Sequence, residues 1–291
     1  MTVAKNGIAG VVVLFNPPDC IWDNMRTYAL GLELLIVVDN SPEVVKDLKT
    51  KSEDFPGLVY VKNPKNLGIA VAMNQGAAIA IERGFGWLLT MDQDSRFDAG
   101  AFHALAAARE GSAGVGILVP RHSLRDGDDF GRKEGWEDVR VAMTSGNLLN
   151  LGVYQKVGPF LEFLFIDYVD HEYCLRLAGK GFKVRRINTA VLRHSLGKLE
   201  VRNVIGFQFQ PTHHSALRRY YMTRNRLYIM TRFPSILLPE AYAWAKELMK
   251  LFLFEKNKTK KLAFMLRGAV DFSMGKFGFL DEEAGNRQGK V

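Results

Sequence analysis

The chain has 291 residues, 47% hydrophobic and 24% charged, enough apolar material for an enzyme-sized core, which excludes a disordered or fibrous protein. Its two cysteines, Cys20 and Cys174, are too few for a disulfide framework or a tetrathiolate metal site, and a reducing compartment is expected. The formal charge of +8 is unevenly spread: between Ala216 and Gly268 twelve basic residues meet three acids, so the rest of the chain is close to neutral and a nucleic-acid-binding main domain is excluded.

Taken in chain order, the N-terminal stretch has no apolar core followed by a cleavage site, so no secretory signal is expected, and no uncharged apolar run of about 18 residues calls for a spanning helix. Strands are expected at 10 to 15, 33 to 39, 58 to 62, 86 to 91 and 115 to 119, with helices at 68 to 83 and 98 to 109 between them. That alternation predicts an α/β fold with a mostly parallel sheet. The second strand runs out into Asp39-Asn40-Ser41-Pro42 and the fourth into Asp92-Gln93-Asp94-Ser95, which puts acids at strand carboxyl ends, where open α/β sheets hold their ligands. A polar loop is expected at 121 to 138, then a strand over 139 to 151 containing Thr144-Ser145-Gly146-Asn147, a helix holding 167 to 177 and a strand from 182 to about 191. The sheet-forming part is expected to end near 200, giving a catalytic domain over 1–200 and a basic helical region over 201–291. Within the latter, 236 to 255 reads as an amphipathic helix with Glu240, Lys246, Glu247, Lys250 and Glu255 on about half of its wheel.

Asp92-Gln93-Asp94 carries the sharpest chemistry, because residues i and i+2 of an extended chain project to the same side and two carboxylates can face one cation. Hard oxygen ligands suit Mg²⁺ or Mn²⁺ carrying a diphosphate; the other reading is a solvated acidic turn before a helix. The run Asn63-Pro64-Lys65-Asn66-Leu67-Gly68 leads into a helix and is either a phosphate-binding approach or an ordinary helix start capped by Asn66. Asp39 either accepts hydrogen bonds from a base or ribose or simply initiates a turn. In Asp167-Tyr168-Val169-Asp170-His171-Glu172, Glu172 and Arg176 form an i, i+4 pair, Asp167 reads as a cap or first-turn acid, and Asp170 is left as the candidate working carboxylate. His194, after the last strand, is structural unless a metal lies nearby.

Together these segments resemble glycosyltransferase family 2. The resemblance rests on 11 to 16, Val37-Val38-Asp39-Asn40-Ser41, 63 to 74, 89 to 95, Ser145-Gly146, Val157-Gly158-Pro159-Phe160, 167 to 176 and His194, in that order, and covers about residues 8 to 200. Met91-Asp92-Gln93-Asp94-Ser95 with Arg218-Arg219-Tyr220-Tyr221 and Arg224-Asn225-Arg226 is most similar to the bacterial rhamnosyltransferases of that family that use dTDP-L-rhamnose. The resemblance implies a GT-A fold (Rossmann-like) with a C-terminal helical extension, and an inverting, metal-dependent transfer of a sugar to a saccharide hydroxyl. It implies that Asn16, Asp39, Asn66, Gly68, Asp92 and Asp94 bind the nucleotide sugar, that Asp94 and His194 hold Mg²⁺ or Mn²⁺, that Gly146, Asp167 and Glu172 lie toward the acceptor, and that Asp170 is the general base. Val169 departs from the family's Glu-Asp pair, which keeps Asp167 as a rival base.

A lipid-linked saccharide acceptor and a cytoplasmic location, peripheral on the inner face of the plasma membrane, follow as expectations. The helix bearing Trp244, Phe252 and Phe254, with Lys256, Lys258, Lys260 and Lys261 after it, either rests on an anionic leaflet or packs on protein, including a second copy in a homo-oligomer. A nucleotidyltransferase and a non-catalytic sugar-nucleotide-binding module are the rival functions. The first of these would need a Gly-rich basic loop where the chain has Asn16-Pro17-Pro18-Asp19.

Overall fold

Valine- and leucine-rich runs can only be buried on both faces of a sheet, and the N-terminal strands are built that way. In the computed structural model, which describes residues 5–45, 53–55, 57–123, 134–194, 202–204, 207–209 and 213–280, β1 (Lys5–Leu14) lies between β2 (Leu34–Asp39) and β4 (Phe85–Asp92), parallel to both. All six residues of β2 are buried, and β3 (Leu58–Lys62) pairs parallel to its far side. Helix α1 (Ile21–Ala29), which the sequence reading missed, buries Ile21, Trp22, Met25 and Tyr28, a helical spacing confined to nine residues. Helix α2 (Ile69–Glu82) faces the sheet with Ala70, Ala72, Met73, Gly76, Ala77 and Ala80. The small-residue stripe lets it press close: a Cβ on Gly76 would come 2.5 Å from Cγ2 of Val11.

The rest of the sheet is β5 (Ser95–Phe97), β6 (Val115–Ser123), β7 (Trp136–Val139), β8 (Asn147–Asn150) and β9 (Lys183–His194). Its order is β3-β2-β1-β4-β8-β6-β9-β5, with β7 also on β9. It is more mixed than the sequence suggested: β8 runs antiparallel to both β4 and β6, and β5 and β7 run antiparallel to β9. The expected long strand over 139 to 151 is β8 alone, preceded by irregular chain in which Gly146 has φ 81°. The expected loop at 121 to 138 gives its ends to β6 and β7, and 124–133 lies outside the described residues. Helices α3 (Ala101–Ala107), α4 (Leu151–Val157) and α5 (Val169–Gly179) complete this part.

The chain divides into two compact units, Met1–Glu162 with Val169–Ser195, and Phe163–Tyr168 with Leu196–Val291. The second unit contains a short antiparallel pair, β10 (Arg202–Val204) and β11 (Phe207–Phe209), and helices α6 (Ala216–Arg232), α7 (Leu237–Phe254) and α8 (Lys258–Ser273). Its core includes Phe165, Tyr220, Tyr221 and Leu280. The basic character read from this region is partly interior: Arg219, Arg224, Arg226 and Lys261 are buried. Arg224 donates to the carbonyls of Phe163, Leu164 and Gly278, while Asn225 donates to those of Leu164, Ile166 and Asp167. These bonds hold a segment in which Phe165, Asp167 and Tyr168 all have positive φ, a conformation that costs non-glycine residues energy and needs such fixing.

Candidate active site

Strand register gathers the expected residues at one edge of the sheet. The parallel pairing of β1 matches Leu14 with Asp39 and Val13 with Asp92, so both acids flank the exit of β1. Asn16, two residues further on, has φ 46° and donates its N–H to Ser41 Oγ at 2.8 Å. Pairing of Thr90 with Asn147 brings Ser145 and Gly146 to the same edge, and pairing of Ser95 with His194 brings the end of β9 there.

Asp92, Asp94 and His194 each place a ligand atom within 4.8 Å of the others. Asp94 Oδ1 is a buried oxygen without a hydrogen-bond partner among the described residues and lies 3.4 Å from His194 Nδ1. Two carboxylates and an imidazole around an orphaned oxygen fit a divalent cation that accepts O and N ligands. The sequence leaves Asp92 to the ribose or the metal region and gives Asp94 and His194 to the metal. Behind this set runs a chain of hydroxyls: the Asp92 N–H donates to Ser145 Oγ at 3.0 Å, Ser145 donates to Ser95 Oγ at 2.8 Å, and Ser95 Oγ lies 2.7 Å from His194 Nδ1. Ser95 and Ser145 are buried, and Gly146 next to them has no room for a side chain, since a Cβ would come 2.8 Å from both Leu192 and Pro120.

On the β1–β2 side, Asp39 is fully buried. Its Oδ1 accepts from Ser41 N–H at 2.8 Å, its Oδ2 accepts from the Tyr60 hydroxyl, and Lys62 Nζ lies 3.5 Å away. Its neighbour Asn40 holds the run before α2, accepting from Asn63 at 2.8 Å and donating to the Gly68 carbonyl at 3.2 Å. The helix is capped by Gly68 without any side-chain bond; Asn66 instead accepts from the Gly68 N–H at 2.9 Å and closes the turn ahead of it.

Asp170 sits in the first turn of α5 and lines a small cavity with Thr90, Asn147, Tyr173 and Cys174. The Asn147 Oδ1 and Tyr173 hydroxyl in this wall are buried without a hydrogen-bond partner among the described residues. Burial pushes the Asp170 carboxyl up, but the imidazole and N–H of His171, at 2.9 and 2.8 Å, outweigh it and hold the group below the usual carboxylate range. Cys174 is no nucleophile, because burial pushes its thiol up to about 12. The other two acids of this stretch are engaged elsewhere. Asp167 precedes α5 instead of capping it and pairs with Arg218 at 3.0 Å. Glu172 is buried and holds Arg176 through both oxygens, at 2.8 and 2.9 Å, while Arg176 also donates to the carbonyls of Val157 and Pro159.

His122 was missed by the sequence reading. Its Nε2 lies 2.8 Å from the Ser145 carbonyl, and burial draws its pKa below the ordinary value, with His194 and Asp170 both near enough to act on its charge. It lies beside Ser145, whose hydroxyl accepts from the Asp92 N–H. The only signal in the sequence was its place at the end of a strand that proved four residues longer than expected.

The profile of Glycosyl transferase family 2 matches residues 18–160, a stretch that holds Asp39, Asn66, Gly68, Asp92, Asp94 and Gly146. Those residues carry the domain of a glycosyltransferase, and Asp170 and His194 lie beyond the matched stretch. The dTDP-rhamnosyl transferase RfbF of Shigella flexneri is 28% identical over 251 residues, covering 78% of this chain and 81% of that protein. S. aureus TarS 1-349 in complex with UDP-GlcNAc superposes with a TM-score of 0.58 at 13% identity, over 91% of this chain and 80% of that one. GalNAc-T7 with UDP, GalNAc and Mn²⁺ gives a TM-score of 0.59 at 12% identity over 77% of this chain; the chain spans about half of its length, 47%. These likenesses establish a GT-A fold, with C-terminal helices added to it.

Proposed function

We propose that this family 2 enzyme transfers L-rhamnose from dTDP-L-rhamnose to a hydroxyl of a saccharide, lipid-linked in the cell, with inversion at the anomeric carbon. The donor reading is supported by the similarity to the Shigella flexneri dTDP-rhamnosyl transferase. The observation that carries the chemistry is the meeting of Asp92, Asp94 and His194, with ligand atoms within 4.8 Å of one another and Asp94 Oδ1 buried without a hydrogen-bond partner among the described residues.

In this reading Asp92, Asp94 and His194 hold Mg²⁺ or Mn²⁺, which supplies positive charge against the diphosphate of the donor. Ser95 fixes the His194 ring, and Ser145 fixes Ser95 against the backbone of Asp92. Asn16 and Asp39 lie at the β1–β2 exit, where the nucleoside binds, with the run from Asn66 to Gly68 beside the diphosphate. Asp170 accepts the proton of the acceptor hydroxyl as its oxygen bonds to the anomeric carbon and the carbon–oxygen bond to the diphosphate breaks. General-base help of this kind contributes about 10² to 10⁴ in rate. The proton stays on Asp170 Oδ until product leaves, and dTDP departs with the electron pair.

A panel of sugar nucleotides, each assayed for thermal stabilisation with and without Mn²⁺, tests the donor. dTDP-L-rhamnose is expected to raise the melting temperature most, and only with metal, since a ligand that binds the native state stabilises it by linkage. A larger, metal-independent shift with a UDP-sugar contradicts the reading.

A further inference from the structure

The two faces of α7 are turned the opposite way from a helix packed by its apolar side. Glu240, Trp244, Glu247 and Leu251 recur at steps of four, three and four residues and so form one stripe. That stripe is the inward one. Glu240 accepts from the Tyr168 hydroxyl at 2.9 Å and from Arg226 at 3.2 Å; Glu247 pairs with Arg226 at 2.6 Å and Arg219 at 3.3 Å; Leu251 is buried. Arg219 and Arg226 are buried on α6, so their charges demand these acids. On the opposite stripe Leu238, Tyr242, Met249, Phe252 and Leu253 are 79, 67, 41, 53 and 57% exposed.

Between Ala216 and Gly268, all of them described residues, the charge left at the surface has one sign. The acids of the stretch between Ala216 and Gly268 are Glu240, Glu247 and Glu255, and all three are taken by buried cations; Glu255 pairs with Arg219 at 2.6 Å and Lys261 at 2.7 Å. Lys246, exposed, lies with its Nζ 5.1 Å over the Tyr242 ring at the margin of the apolar stripe, and Lys256 is exposed just after the helix. Among the described residues no helix is long and apolar enough to cross a membrane.

From this geometry we propose that α7 lies flat in the surface of an anionic lipid bilayer. Leu238, Tyr242, Met249, Phe252 and Leu253 enter the boundary between headgroups and acyl chains, and Lys246 and Lys256 meet the headgroup charge. An apolar stripe bordered by cations and cleared of acids is complementary to that surface. The face differs from the one expected from the sequence, because Trp244 belongs to the inward stripe and Lys261 is buried against Glu255. The proposal needs no donor and stands or falls apart from the transfer chemistry.

Cosedimentation of the full chain with vesicles of equal phosphatidylglycerol and phosphatidylcholine, and with phosphatidylcholine alone, reads it directly. Wild type is expected to bind the anionic vesicles at low salt, and Leu238→Glu/Phe252→Glu/Leu253→Glu to bind at least about tenfold more weakly. Lys246→Gln and Lys256→Gln are each expected to cost about fivefold, and Trp244→Phe to cost nothing. The substituted apolar positions are exposed, so the variants keep the wild-type urea midpoint, which is measured alongside. Wild type that ignores anionic vesicles, or a triple variant that binds as well as wild type, overturns the proposal. So does a dimer in sedimentation velocity without lipid that the triple substitution turns into monomer, since the face would then be a subunit interface.

Discussion

His194 is oriented by hydroxyls. Ser95 Oγ at 2.7 Å fixes the ring, and Ser145 reaches Ser95 at 2.8 Å, so both serines act on the acid cluster without entering it. Partners of this kind contribute about 10- to 100-fold to metal affinity. Ser95→Ala and Ser145→Ala are therefore expected to weaken Mn²⁺-dependent dTDP binding by about 10- to 100-fold in calorimetry, and Asp94→Ala by at least as much; equal affinities in all of them would separate the cluster from the nucleotide. His171 offers a second test. Its imidazole and N–H lower the Asp170 pKa against the effect of burial, so His171→Ala leaves burial and raises that pKa. The acid limb of kcat/KM, which falls where the base becomes protonated, is then expected to move to higher pH. An unmoved limb means that Asp170 is not the titrating base. The pair Asp92 and Asp94 was legible because the strand's two-residue period alone puts both on one side. The standing of His122 was not, because it depends on which carbonyl the register of β6 and β8 places opposite it. Asp167 was illegible for another reason: its positive φ and its Arg218 partner belong to long-range contacts of α6.

The elements that were legible are those whose period is clean and whose flanks carry turn residues. β2, β3 and α2 fall within a residue of their expected limits. α1 and α4 escaped because they are only nine and seven residues long, and β7 because it lay in a polar stretch and is made a strand by pairing with β9. Antiparallel insertion of β8 between β4 and β6 could not be read from local pattern at all, since it is a choice of neighbours. α2 is placed by close packing: Gly76→Ala drives a methyl to 2.5 Å from Val11 Cγ2. The gain in helix propensity is smaller than the overpacking, and a loss of about 1–3 kcal/mol in urea unfolding is expected. A midpoint equal to or above wild type would show that the helix is free to move away from β1.

At the scale of the whole molecule, the second unit keeps ion pairs in its interior and should be sensitive to acid. Burial, with Arg218 and Arg219 nearby, draws His214 down to about 4 from its ordinary 6.5. Its contribution to stability is therefore complete above about pH 6.5 and lost as pH falls toward 4. Burial raises Glu255, but Lys261 and Arg219 hold it below its ordinary value, so its contribution is lost at still lower pH. The urea midpoint is expected to be flat from pH 8 to about 7 and to fall below about 6.5; a midpoint constant down to pH 5 would contradict these assignments. Glu255→Gln, which removes the carboxylate partner of buried Lys261 and leaves buried Arg219 with Glu247, is expected to cost about 3–5 kcal/mol. The account as a whole rests on Asp170 acting as the base beside a metal-held donor, and transfer by Asp170→Asn with dTDP-L-rhamnose and Mn²⁺ tests that most directly. The account predicts a rate lower by about 10² or more with dTDP affinity within about twofold of wild type; transfer above about a tenth of wild type, or loss of dTDP binding in step with the rate, would contradict it.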